Sequence, residues 1–195
     1  MPPAPTDEIY EKYLQKALTE THDLGDEIQK AAGSERIPVL GSGHPLGDVF
    51  MLKYGPQAAE VQEGVAFFGR AGQAILKSLQ RLHVDPLAVY GTNCIKFAGE
   101  ADDEARSFLE RELHIVQPKL VVVMGEDALA FLNGLEFPLG AELEPELGTL
   151  QDWTPTIQVL YAPDIDASLD EQPAKTEFWS AFKALGPWWA ELPPY

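Results

Sequence analysis

Apolar positions change their period several times along the chain, and each change marks an element. In "DEIYEKYLQKALTETHDLGDEIQKAAG" the residues Ile9, Tyr13, Leu14, Ala17 and Leu18 recur at helical spacing, with Gly33 as the stop. Segment 7–33 therefore reads as a helical N-terminal arm, broken near Gly25. The short apolar run "DVFML" at 48–52 has strand character, and a long loop carries the chain from it to a helix over 69–82, stopped ahead of Asp85 and Pro86. Strands then alternate with helices: "AVYGTN" at 88–93, the helical "DDEARSFLERELHIV", "KLVVVM" at 119–124, the short helical "EDALAFLNG", and "TIQVLY" at 156–161. A last helix, "PAKTEFWSAFKALG", places Phe178, Phe182 and Leu185 on one face. Alternation of this kind predicts a three-layer α/β/α sandwich with a mostly parallel central sheet. Ligands of such folds sit beyond the carboxyl ends of the strands. The loops that matter are then 53–68, 93–99, 125 onward and 162–173.

With 195 residues and 45% hydrophobic content, the chain suits one domain spanning 1–195, its core over 37–185. It has no run of about eighteen apolar residues, and "MPPAPTDEIYEKYLQ" lacks the basic start and apolar stretch of a signal peptide. The expectation is a cytoplasmic protein without a membrane partner. A single cysteine, Cys94, excludes an internal disulfide, and no Cys/His spacing suits zinc or an iron–sulfur cluster, so neither metal nor cofactor is expected.

Charge changes the picture more. Acidic residues number 31 against 14 basic, a formal net charge of −17. Between Glu136 and Glu177 the count is ten acidic side chains to one basic, Lys175. Affinity for a phosphate backbone comes largely from Lys and Arg, so this balance disfavours DNA as a partner and leaves a protein or a small molecule in play. Basic residues do gather at Lys53, Arg70, Lys77, Arg81 and Lys96, on or near the strand-end loops. If they share a face, a narrow DNA track survives.

Three stretches resemble the uracil-DNA glycosylase superfamily, most of all its iron–sulfur branch, family 4, over roughly residues 37–185. They are "FFGRAGQAIL", "VYGTNCIKF" and "PKLVVVMGEDALAFL". The resemblance implies that Phe67 stacks on a nucleobase and that Asn93 reads its edge. An extruded base needs both, a flat side chain and a hydrogen-bonding amide. Excision also needs a group that positions water or stabilises the sugar cation, and a donor for the departing base anion. Here the sequence departs from the family. Its Gly-Glu-(Ala or Gly)-Pro-Gly loop aligns with "KYGPQ", which keeps Gly55 and Pro56 but puts Tyr54 at the carboxylate position; its His-Pro-Ser loop aligns with "YAPDIDASL", which puts Ala162 at the histidine. Loss of one such donor costs about a hundred- to a thousand-fold in rate. The four cluster cysteines fall on or near Asp26, Gln29, Phe97 and Ala105, and the basic loop after the third becomes "AGEADD".

Glu60 coincides with an acid common in that loop and is the candidate catalytic replacement, although as a sequence position it reads first as a surface glutamate. Tyr54 and Gly55 join Phe67 and Asn93 as candidate base-binding residues, and Arg70 and Lys96 are candidate phosphate contacts. His22, His44, His83 and His114 fall outside the expected site. Trp179, Trp188 and Trp189 lack interleaved cations and read as packing of the last helix. The glycines 41, 43 and 47 lack the Lys-Ser/Thr of a phosphate loop. Three readings follow. The preferred one is a diverged glycosylase-like protein without standard uracil excision that keeps a nucleobase or nucleotide pocket. The others are an active glycosylase using Glu60, Asp164 or Asp166, and an acidic protein-interaction module with a closed pocket.

Overall fold

The computed structural model describes residues 4–193. In chain order the elements are α1 (Pro5–Ala32), β1 (Ser42–Gly43), β2 (Val49–Lys53), α2 (Ala58–Glu63), α3 (Arg70–Arg81), β3 (Val89–Asn93), α4 (Ala105–Val116), β4 (Leu120–Met124), α5 (Glu126–Asn133), β5 (Leu150–Asp152), β6 (Gln158–Ala162), α6 (Gln172–Phe182) and α7 (Leu185–Ala190). One six-stranded sheet runs β1-β3-β2-β4-β6-β5, parallel at its centre and antiparallel at its two edges. The two edge strands are too short and too polar to stand out by alternation, and α2 lies inside what reads as a loop.

Because strand side chains alternate, the sheet builds two cores at once. Val49 and Met51 of β2, Leu120, Val122 and Met124 of β4, and Leu160 and Ala162 of β6 pack against Ile75 and Leu79 of α3 and Phe178 and Phe182 of α6. The intervening Phe50, Leu52, Val121, Val123 and Val159 pack against Leu109 and Leu113 of α4 and Leu129 and Leu132 of α5. The result is the three-layer arrangement, with Trp179, Trp188 and Trp189 resting on the α3/α6 core. Trp188 also donates from Nε1 to Gln158 Oε1 at 2.9 Å.

Helix α1 corrects the expected arm in two ways. It passes through Gly25 unbroken, since that glycine is buried against Leu40, where a Cβ would lie 3.4 Å from Cδ1. Its packing face is Ala17, Leu24, Ile28 and Ala32, while Ile9, Tyr13 and Leu18 are exposed. At the other end of the chain the expected single helix stops at Phe182, and α7 follows separately.

Candidate functional site

Register sets the site. Asn93 pairs with Lys53, Lys53 with Met124, and Met124 with Ala162, so the last residues of β3, β2, β4 and β6 form one row at the carboxyl edge. The connections leaving β2 and β4 go to opposite faces of the sheet, which opens a crevice there. Lys53 and Asn93 share the parity of Met51 and Gly91 and point to the α3 face.

Phe67 closes that face. Its φ is 62°, a left-handed conformation that costs a non-glycine residue about 1–2 kcal/mol. Two neighbours make room for it: a Cβ on Gly91 would meet its ring at 2.7 Å, and one on Gly72 would meet its carbonyl oxygen at 1.8 Å. Gly72 is the second glycine of "GRAG", which gives that motif a steric reason.

Glu60 is the hub. It is buried, not the surface glutamate its sequence position suggested. Its Oε1 accepts from the Phe67 backbone N–H at 2.7 Å and from Asn93 Nδ2 at 3.2 Å. Oε2 accepts from the Gln57 N–H at 2.7 Å and from Lys53 Nζ at 2.7 Å. Four donors converge on one carboxylate, so no lone pair remains for activating water. Lys53 is equally committed, donating also to the Gly55 carbonyl at 2.9 Å and pairing with Asp166 Oδ2 at 3.0 Å. Its ammonium lies 5.5 Å from the centroid of the Phe67 ring.

Asn93 is wholly buried, and its Oδ1 is the one buried side-chain polar atom without a hydrogen-bond partner among the described residues. The carboxylate of Glu60 fixes the amide orientation, because turning it would set two acceptors against each other. What Asn93 presents is therefore an acceptor, suited to an imide or amino N–H of a base. The only exposed edge of this network is Asp166, whose side chain is 11% exposed. Burial raises the pKa of Asp166 against the opposing pull of Lys53, and burial likewise raises that of Asp164, whose Oδ1 caps the Asp166 N–H at 3.0 Å.

The positions where chemistry is expected hold different groups. Tyr54 packs edge-on against Phe131, 6.3 Å between centroids, and its carbonyl accepts from the Ile95 N–H at 3.0 Å. Ala162 is buried, and its carbonyl accepts from the Gly125 N–H at 2.9 Å. Arg70 is exposed and paired with Asp170 at 2.6 Å.

Lys96 corrects the expected phosphate contact. It is buried on the opposite, α4 face, where its Nζ donates to Thr92 Oγ1 at 2.7 Å and to the Asn93 carbonyl at 2.6 Å, and pairs with Glu112. Tyr90 donates to the same carboxylate at 2.6 Å. In sequence Lys53 and Lys96 look like surface charge, and neither Glu112 nor the Lys53–Asp166 pair stands out. The signal becomes usable only once strand order is known: with β3 and β4 on either side, the lysine ending "VFMLK" is buried, and a buried cation requires a partner.

The residues aligned with cluster cysteines do not fit an iron–sulfur centre. Phe97 packs with Leu24, Ile28, Ala32 and Phe108 in an apolar cluster between α1 and α4, with the Arg36 guanidinium 4.0 Å from its ring centroid. The single thiol, Cys94, is buried, and burial pushes its pKa up, away from thiolate. Among the described residues no group of three or more His, Cys, Asp or Glu side chains is placed to hold a metal ion. Nor is any helix there long and apolar enough to cross a membrane.

Comparison with known proteins agrees with the fold. The family model described as "Uracil DNA glycosylase superfamily" matches residues 40–185. A "Type-4 uracil-DNA glycosylase" of Archaeoglobus fulgidus is 24% identical over 159 residues, covering 76% of this chain and 80% of that protein.

Proposed function

The chain belongs to the uracil-DNA glycosylase superfamily, and on that premise we propose that it is a diverged member without standard uracil excision, its nucleobase site kept in outline and closed by its own ion pairs. One observation carries the reading: the amide of Asn93 is wholly buried against the Lys53–Glu60–Asp166 network, while the family resemblance puts Tyr54 and Ala162 at the two chemical positions. Neither replacement supplies what the reaction lacks. Tyr54 is committed to an aromatic edge and carries no charge to set against a sugar cation, and Ala162 has no side-chain donor for the base anion. Glu60, with all four lone-pair sites taken, is an anchor and not a base.

The test is incubation with uracil-containing single- and double-stranded DNA at low salt, followed by alkaline cleavage at abasic sites. No product above the protein-free control is expected. Abasic sites formed by the parent protein and absent with Asn93→Ala overturn the reading.

A further inference from the structure

We propose that the cleft between α3 and α6 binds the phosphate backbone of a single nucleic-acid strand. The inference goes beyond the closed base site and holds whether or not a base is excised. Of the fourteen basic residues, four line this one cleft of about 420 Å³: Arg70, Lys77 and Arg81 from α3 and Lys175 from α6. No acidic side chain lines it. Among the described residues, Lys77, Arg81 and Lys175 have no carboxylate within 4 Å; Arg70 has Asp170. In a chain of charge −17 this is a segregation: of the other ten, Lys53 and Lys96 are buried, Lys16, Arg36, Arg111 and Lys119 are each tied to an acid, and Lys12, Lys30, Arg106 and Lys183 lie on α1, on α4 and past the end of α6.

The spacing matches a chain of phosphates better than a single one. Positions 70, 77 and 81 fall on one stripe of α3, since seven and eleven residues are close to two and three full turns, and the rise places the stripe's ends about 16 Å apart. Arg81 lies 4.0 Å over the half-buried Trp179, and this cation–π contact holds its guanidinium in the cleft, where a phosphate can reach it. A duplex is disfavoured. Asp170, which pairs with the cleft-lining Arg70, and its neighbour Glu171 are exposed acids at that end of the cleft and repel a second strand.

The experiment is fluorescence anisotropy of a labelled oligothymidine of about twelve nucleotides, titrated across salt concentrations. It carries no uracil, so binding is read apart from excision. With three or four phosphates neutralised, the logarithm of the binding constant is expected to fall with log salt at a slope of about −2 to −3. The variant Lys77→Glu/Arg81→Glu/Lys175→Glu is expected to bind at least about tenfold more weakly. The control Lys12→Glu/Lys16→Glu/Lys30→Glu changes net charge equally on α1, and a loss under about threefold is expected. All six residues are exposed, and matched melting curves establish that both variants fold. Absence of saturable binding by the parent at about 20 mM salt overturns the proposal, as does equal loss in both variants. Inorganic tripolyphosphate competing at the same concentration as the oligonucleotide overturns it too, by assigning the cleft to free phosphate.

Discussion

Glu60 shows how a carboxylate stops being a reagent. Two backbone N–H groups, a lysine and an asparagine amide occupy it, and through them it fixes the Phe67 backbone, the start of α2, the end of β2 and the orientation of Asn93. Replacing it with Gln sets an NH2 against donors and leaves Lys53 with one acid. A buried donor left unmet in this way costs about 1–3 kcal/mol, so Glu60→Gln is expected to lower the urea midpoint; a midpoint within error of the parent contradicts the anchor role. At this scale Phe67 and Asn93 were legible, because a motif names them. Lys53 was not, because a lysine is read as surface until the strands on both sides of it are known.

Among elements, the parallel sheet and its flanking helices were legible from alternation, since the apolar runs of β2 (VFML), β4 (LVVVM) and β6 (VLYA) leave a clear trace. Strands β1 and β5 left none, being edge strands of two and three residues without an apolar face. The α1–α4 junction is the informative departure. Where the family resemblance implies a metal cluster, this chain joins the same elements with the Phe97 cluster and with Arg111 paired to Glu27. Beside it the Lys96–Glu112 pair holds the Asn93 carbonyl and the Tyr90 hydroxyl. Lys96→Met strands a buried carboxylate and is expected to cost about 3–5 kcal/mol in urea unfolding. Lys96→Met/Glu112→Leu removes both charges and is expected to recover most of that loss. If the double variant is no more stable than the single, the two charges do not act as a pair.

On the scale of the whole molecule, charge is sorted by place. Cations that ended up inside fix the strand ends, those left on the surface of α3 and α6 gather in one cleft, and the acids cover much of the remainder. Net charge alone could not reveal this sorting, because it depends on which lysines the sheet buries. The proposed closure of the base site rests on the same sorting: the Lys53 ammonium lies 5.5 Å from the Phe67 ring centroid, and Glu60 accepts from both the Phe67 N–H and the Asn93 amide. The most direct test is a calorimetric titration of the parent protein with free uracil. The closed site predicts heats of dilution only, with no saturation. A saturable one-to-one isotherm that disappears in both Asn93→Ala and Phe67→Ala would show an open pocket and contradict the account.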